Sequence, residues 1–159
     1  MTTKSKGNQT IVTNRRARYN YEITDTVEAG LVLTGTEIKA IREGRVNLSD
    51  SYAKPENGEL WLVNAHIAQY SAGSLNNHEP TRPRKLLLHR DQIDRLIGKV
   101  QEKGLSLVPL KLYIKDHRAK IELALAKGRK LYDKRRSIAE KDAERQMQRM
   151  TRKTIGRRV

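Results

Sequence analysis

The chain has 159 residues, a net charge of +15 and no cysteine, which excludes a disulfide framework and thiolate metal sites and favours a reducing compartment such as the cytosol. No apolar run reaches membrane-spanning length and residues 1–10 hold no hydrophobic signal region, so we expect a soluble, cytoplasmic protein with no membrane partner. The charge is concentrated at one end, because residues 127–159 carry 13 Lys and Arg against 4 Asp and Glu. A segment this basic, with few large apolar side chains, is typical of a tail that orders against a polyanion such as RNA or DNA.

The first thirty residues predict an arm followed by two strands. Residues 1–10 are polar and without periodicity, which indicates a flexible N-terminal arm. Tyr19, Tyr21 and Ile23 alternate with polar residues, the period of a half-buried strand. A second strand is predicted over residues 27–33.

The next segment predicts a helix and a hairpin. Thr34 and Glu37 have the spacing of a capping box, so we expect a short helix that Gly44 ends. Asn57-Gly58 is a strong turn signal between strands. The strands predicted on its two sides are residues 48–53 and 59–63.

The second half of the body predicts a loop, a helix and a second hairpin. Residues 71–83, with two prolines and an Asn-Asn pair, indicate a long exposed loop. A helix is expected where apolar residues recur at helical spacing before Gly104, namely Ile93, Leu96, Ile97 and Val100. Alternating leucines and isoleucines on both sides of a turn at 116–118 predict an antiparallel hairpin.

These elements together predict a mainly β (α+β) fold. Several short antiparallel strands with two to three short flanking helices favour a closed or nearly closed β-barrel, because closure removes exposed sheet edges. The organisation we expect is a flexible arm over residues 1–10, an RNA-binding barrel domain over 11–126 and a basic C-terminal tail over 127–159.

The sequence offers no catalytic constellation. The four histidines fall singly in different segments, and no phosphate loop or nucleophile motif occurs. Asp91 and Asp94 are best interpreted as favourable charges in the first turn of a helix. A metal-dependent nuclease would need clustered carboxylates or histidines, so we expect neither enzyme activity nor a metal or other cofactor.

A first basic cluster precedes the first predicted strand. Arg15, Arg16 and Arg18 adjoin Tyr19 and Tyr21, a grouping that can bind a sugar-phosphate chain and stack a base. The alternative is a solvated approach to a strand. Binding is favoured because three arginines within four residues repel one another unless an anion is present.

A second basic cluster, Arg82, Arg84 and Lys85, runs into three leucines at 86–88. The leucines are most simply core residues, although one on an edge strand could face a partner.

The tail opens with a third basic cluster, at residues 127–136. A weak helical pattern follows it. Small and apolar residues recur there at spacings of four, four and three, at Ala139, Ala143, Met147 and Met150. We interpret the tail as a conditional helix that forms against RNA or a ribosome-like surface; the alternative is a frayed solubility tail.

Five motifs, in a consistent order from residue 14 to the tail, resemble the SmpB family (small protein B, the SsrA-binding proteins of bacterial trans-translation). The motifs are NRRAR at 14–18, EAGL at 28–31, NLSDSY at 47–52, PTRPRKLLL at 80–88 and AKGRKLYDKR at 126–135. The rival is a generic basic barrel of the ribosomal-protein or initiation-factor kind, which composition alone does not separate from this family.

The resemblance implies an OB-fold-like closed antiparallel β-barrel and a non-enzymatic RNA-binding adaptor in ribosome rescue. The implied partners are the tRNA-like domain of tmRNA, the stalled 70S ribosome through its 16S rRNA decoding centre and mRNA channel, and elongation factor Tu through tmRNA. The tail is implied to be disordered in the free protein and helical on the ribosome.

The resemblance also implies two sets of site residues. Contact with the tRNA-like domain is expected from Asn14, Arg15, Arg16, Arg18, Glu28, Arg84, Lys85 and Leu87. Contact with the decoding centre or mRNA channel is expected from Lys127, Arg129, Lys130, Tyr132, Asp133, Lys134, Arg135, Met147 and Met150. A carboxylate at an RNA surface is unfavourable unless it accepts hydrogen bonds, so Glu28 is expected to contact guanine N–H groups or a ribose hydroxyl.

Overall fold

The structure, a computed structural model, describes residues 9–70, 77–129 and 131–156. The chain divides into two compact units, Met1–Gly128 and Arg129–Val159. The described part of the first unit is a large antiparallel sheet with a few helices, which confirms the mainly β fold class. Among the helices of the described residues, none is both long and apolar enough to span a membrane.

Six strands of the first unit pair in a circuit. The elements in chain order are β1 (Gln9–Thr13), α1 (Arg15–Asn20), β2 (Tyr21–Leu31), α2 (Gly35–Arg42), β3 (Val46–Asn47), β4 (Tyr52–Glu56), β5 (Glu59–Val63), β6 (His66–Ile67), β7 (Arg84–Leu87), α3 (Arg90–Lys103), β8 (Ser106–Lys115) and β9 (Arg118–Gly128). The pairing order is β8-β4-β5-β7-β2-β9, with β9 paired back to β8, while β1 pairs with β8. Strands β3 and β6 form a separate two-stranded sheet.

The N-terminal segment differs from its prediction in two ways. Gln9 and Thr10, predicted to belong to the arm, lie in β1 and pair with β8, where the backbone gains a ladder of hydrogen bonds; residues 1–8 lie outside the described residues. Tyr19 lies in α1 and not in a strand, because the side chain of Asn14 caps a helix by accepting from the N–H of Ala17.

The two strands predicted around Tyr21 and over residues 27–33 form a single strand, β2. The register of β2 against β9 shifts between Ile23 and Asp25. This irregularity interrupts the apolar alternation in the sequence, so one long strand resembles two short ones.

Short-range sequence signals correctly predicted α2 and the turn between β4 and β5, whereas β3 and β6 were not predicted. The capping box of α2 is present, with Glu37 Oε1 accepting from the N–H of Thr34 at 2.9 Å. Asn57 and Gly58, with φ of 52° and 73°, join β4 to β5. The strand before this turn is shifted from the predicted 48–53, because the side chains of Asn47 and Ser51 form turn hydrogen bonds within the preceding segment.

In the second half the helix and the hairpin match their predictions, whereas β7 was not predicted and His78 of the loop predicted to be exposed is buried. Gly104 ends α3 in the left-handed conformation, with φ of 62°. The β8–β9 hairpin turns at Asp116 and His117. Residues 77–83 of the predicted loop contain no strand or helix, and residues 71–76 lie outside the described residues. The core between these elements consists of Leu, Ile and Ala side chains.

The second unit contains the helix α4 (Leu131–Gly156). A helix is the conformation predicted for the bound tail. The disorder predicted for the free tail stays a prediction.

Candidate nucleic-acid interface

A groove crosses β2, β7 and the outer side of β9. It has a volume of about 520 Å³ and is lined by Glu28, Gly30, Leu87, Leu88, His89, Gln92 and Lys120. Leu87 is 51% exposed, which is unusual for a leucine on a paired strand. An exposed apolar side chain in the same groove as a carboxylate and a lysine can pack against a base or ribose while the charged groups contact polar edges.

Glycine at position 30 keeps this groove open. Gly30 is paired with Leu87 on one side and with Lys120 on the other. A Cβ atom at Gly30 would lie 3.2 Å from Leu87 Cβ and 3.7 Å from Lys120 Nζ. The absent side chain therefore leaves the space between Leu87 and Lys120 unfilled.

The carboxylate of Glu28 is the acidic group of the groove. The hydroxyl of Tyr113 donates a hydrogen bond to its Oε2, and Lys115 Nζ lies 3.7 Å from its Oε1. The hydrogen bond from Tyr113 lowers the pKa of Glu28; burial opposes this, and Lys115 and Lys120 add to it. Glu28 is therefore ionised at neutral pH and acts only as an acceptor.

Lys85 and Leu87 lie on the same face of β7. The burial pattern of this strand alternates, with Arg84 and Leu86 inside and the two others outside. Lys85 is half-buried and adds a positive charge to the strand that carries Leu87. The prediction that one of the three leucines could face a partner fits Leu87.

Arg84 requires a correction, because it lies inside the protein. Its side chain is fully buried and donates hydrogen bonds to Glu37 Oε2, to the carbonyl of Ala65 at 2.9 Å and to that of Pro80 at 3.0 Å. Arg82 donates to the other oxygen of Glu37. A guanidinium held in this way does not reach a phosphate. Arg84 therefore stabilises the start of β7 and does not contact RNA.

Asn14 is also buried, and its side chain is fully engaged. The Nδ2 atom donates to the carbonyl of Leu48 at 3.1 Å and to that of Pro109 at 2.9 Å, while Oδ1 accepts from the N–H of Ala17. The expected direct contact of this side chain with RNA is wrong, because the side chain is buried and hydrogen-bonded within the protein. Asn14 fixes the position of α1 against β8 and the segment before β4.

The arginines of α1 are exposed and lie apart from the groove. Arg15, Arg16 and Arg18 all face solvent, and Arg16 Nη1 lies 3.7 Å from Asp50 Oδ1. Helix α1 adjoins the start of β2, and Glu28 follows Tyr21 by seven residues, about 23 Å along a strand. The structure thus separates the expected RNA-binding residues into two groups, one on α1 and one at the groove.

Three residues of the groove region escaped the sequence analysis. Tyr113, Lys115 and Lys120 were assigned only to a hairpin. In the sequence they alternate with the apolar residues Leu112, Ile114 and Ile121, which was the available signal. The sequence did not reveal that β2 pairs with β9, and this pairing brings Glu28 close to these three residues.

The expected ribosome-binding residues lie at the end of β9 and in the second unit. Lys127 is exposed and Arg129 half-buried, while Lys130 lies outside the described residues. Tyr132, Asp133 and Lys134 belong to the first turns of α4, where Arg135 is exposed. Met147 and Met150 are 71% and 70% exposed.

The chain is similar to known proteins over nearly its whole length. The family model described as SmpB protein matches residues 11–153. The SsrA-binding protein of Desulforudis audaxviator is 58% identical over 144 residues, which cover 91% of this chain and 94% of the relative. That of a Parafrankia species is 57% identical over 155 residues, covering 97% and 98%.

A solved structure is similar as well. It is described as "tmRNA-SmpB: a journey to the center of the bacterial ribosome" and aligns with a TM-score of 0.64 and 52% identity, covering 76% of this chain and 85% of that chain. With a family match over residues 11–153 and relatives of this identity and coverage, the chain belongs to the SmpB protein family.

Proposed function

We propose that this chain is a non-enzymatic, cytoplasmic RNA-binding adaptor that binds the tRNA-like domain of tmRNA and holds it on stalled ribosomes during trans-translation. The observation that carries the proposal is the groove at Glu28, Leu87 and Lys120, where an ionised acceptor, an exposed leucine and an ammonium group lie together. The names of the relatives, SsrA-binding proteins, and of the solved complex of tmRNA with SmpB support it.

We further infer that the strand circuit is a closed barrel of the OB type. The support is that each of the six strands in the circuit has a partner on both sides and that β9 pairs back to β8. An OB-type barrel commonly binds nucleic acid on a strand face.

The tail is proposed to contact the ribosome. Its first part would meet the 16S rRNA decoding centre through Lys127, Arg129, Lys130, Tyr132, Asp133, Lys134 and Arg135. The helix beyond would lie in the vacant mRNA channel with Met147 and Met150. The basic composition and the long exposed helix α4 support this assignment, and elongation factor Tu would join through tmRNA.

Leu87→Asp is expected to weaken binding of the isolated tRNA-like domain by about tenfold to a hundredfold, because it removes a leucine contact worth about 1.5–3 kcal/mol and adds a charge that repels phosphate. Glu28→Ala is expected to weaken it less and to reduce discrimination against other RNAs. Dissociation constants for tmRNA, ordinary tRNA and random RNA, measured by filter binding at fixed salt, test both results.

The matched control for this experiment is Ile138→Asp, a change of similar size at a side chain that is 44% exposed and lies in the second unit. It should leave the affinity for the tRNA-like domain unchanged. Unchanged affinity in Leu87→Asp and in Glu28→Ala, with the fold intact by circular dichroism, would rule out the groove as the tmRNA site. Equal affinity of the unmodified protein for all three RNAs would favour the generic basic barrel.

Gly30→Ala is expected to weaken binding of the tRNA-like domain by about threefold to tenfold, because the added methyl group displaces Leu87 and occupies part of the groove. The control is Gly98→Ala in α3, where a Cβ atom meets nothing within 4 Å. That change should raise the free energy of unfolding by up to about 1 kcal/mol without altering affinity. If both variants bind as the unmodified protein does, the groove does not need to be open.

A further inference from the structure

The contact between Tyr113 and Glu28 joins two strands that are not neighbours. Tyr113 lies on β8 and Glu28 on β2, with β9 between them. The two residues are 85 positions apart in the chain, and the Tyr113 hydroxyl donates to Oε2 of the carboxylate. The tyrosine therefore fixes one oxygen of a side chain that stands at the edge of the groove.

The tyrosine itself is held rigidly. Its side chain is only 4% exposed, and Lys111 Nζ lies 5.5 Å from the centre of its ring. Glu28, in contrast, lies on an exposed position of β2. A flexible carboxylate at such a position loses rotamer freedom when it binds a ligand, and a hydrogen bond from a fixed partner removes that cost before binding.

The remaining acceptor positions match one kind of nucleobase. An ionised carboxylate has about four lone-pair positions on two oxygens, of which Tyr113 uses one on Oε2. Lys115 lies on the Oε1 side, at 3.7 Å. Each oxygen thus keeps a position for a ligand, and guanine is the standard base whose Watson–Crick edge presents two adjacent N–H donors, at N1 and N2.

Resting on the proposed function, we propose that Tyr113 is a positioning residue that holds the Glu28 carboxylate ready to accept the N1–H and N2–H donors of an unpaired guanine in the bound RNA. The charge states fit this role. Burial and the bond to Glu28 raise the pKa of Tyr113, so the tyrosine stays a donor, and the same bond lowers the pKa of Glu28.

The test uses Tyr113→Phe, which keeps the ring and removes the hydroxyl. Loop guanines of the tRNA-like domain are replaced one at a time by inosine, which lacks the 2-amino group. At one position, inosine is expected to weaken binding to the unmodified protein by about tenfold. In Tyr113→Phe the affinity for the guanine form should fall, and the penalty for inosine at that position should shrink to below about threefold.

Two further measurements separate positioning from a general loss of structure. An NMR titration of the Glu28 carboxyl group in the free protein should give a higher pKa in Tyr113→Phe, since the stabilising hydrogen bond is gone. In the Glu28→Ala background, Tyr113→Phe should cause no additional loss of affinity.

The proposal is overturned if Tyr113→Phe keeps full inosine discrimination, if the Glu28 pKa does not move, or if the hydroxyl matters equally when Glu28 is absent. Failure of the proposed function is distinguishable from these results. In that case neither Glu28→Ala nor Leu87→Asp changes tmRNA affinity, while the NMR titration still reports whether Tyr113 holds the carboxylate.

Discussion

Replacing Glu37 by Gln is expected to lower the free energy of unfolding by about 3 to 5 kcal/mol. The Glu37 carboxylate is fully buried and accepts hydrogen bonds from Arg82 and Arg84, of which Arg84 is fully buried too. Gln keeps the volume of the side chain and the oxygen that accepts from the N–H of Thr34, but it removes the negative charge and places an NH2 donor where Oε2 accepted from Arg84. A buried guanidinium is then left without its counter-ion. Urea denaturation followed by circular dichroism measures the loss.

Glu43→Gln serves as the matched control for this experiment. Glu43 follows the same helix, and its partly exposed carboxylate lies 3.9 Å from Arg45. Surface pairs of this kind contribute little, so the expected change is within about 0.5 kcal/mol. A similar loss in the two variants would contradict the assignment of a buried ion cluster at Glu37.

The pH dependence gives the same prediction a second readout. Burial alone would raise the pKa of Glu37, but hydrogen bonds from Thr34, Arg82 and Arg84 outweigh it and hold the pKa below the usual value of a glutamate. A carboxyl group with a lowered pKa in the folded state stabilises the fold above its unfolded pKa and loses that contribution as pH falls through the folded value. The stability difference between the unmodified protein and Glu37→Gln should therefore narrow below about pH 4.5.

Removing residues 137–159 is expected to abolish tagging on stalled ribosomes while changing the affinity for the isolated tRNA-like domain by less than about twofold. The proposed tmRNA groove lies entirely within the first unit, and the segment removed carries most of α4. Under the proposed function this helix fills the vacant mRNA channel, so the truncated protein would place no basic segment there. Peptide tagging in a reconstituted translation system with a truncated message, together with filter binding, measures both properties.

A point substitution in α4 separates the effect of losing the helical structure from the effect of losing positive charge. Ala143→Pro interrupts α4 at its centre and costs about 3 kcal/mol of helix stability without changing a single charge, whereas Ala143→Ser costs far less. Tagging should fall with Pro and persist with Ser. Normal tagging by the truncated protein would show that the tail has no role in the channel.

The sequence predicted well those elements that short-range chemistry decides. The capping box at Thr34, the Asn57-Gly58 turn and the left-handed Gly104 each act through residues within a few positions of one another. Helix α1 was missed because its cap, Asn14, stands before a run of arginines whose neighbouring tyrosines also fit a strand pattern.

The site was predicted only in part because its geometry depends on distant pairings. Leu87 and Glu28 were identified by their motifs, yet Tyr113 was not, since only the pairing of β2 and β9 brings it to Glu28. Arg84 belongs to a basic run that suggests a surface, and the sequence does not reveal that Glu37 neutralises it inside the core. Charge counts alone do not separate a buried arginine from an exposed one.

The order of synthesis gives these distant pairings a biological consequence. Glu28 meets its tyrosine only after 85 further residues are made, and Asn14 meets Pro109 after 95. β2 lacks its long neighbour until the chain has reached Gly128. Such non-local assembly comes late in folding. A fragment translated from a truncated message of this protein therefore lacks the assembled groove that is proposed to bind tmRNA, and it would not compete through that groove for the tmRNA needed to clear the ribosome that made it.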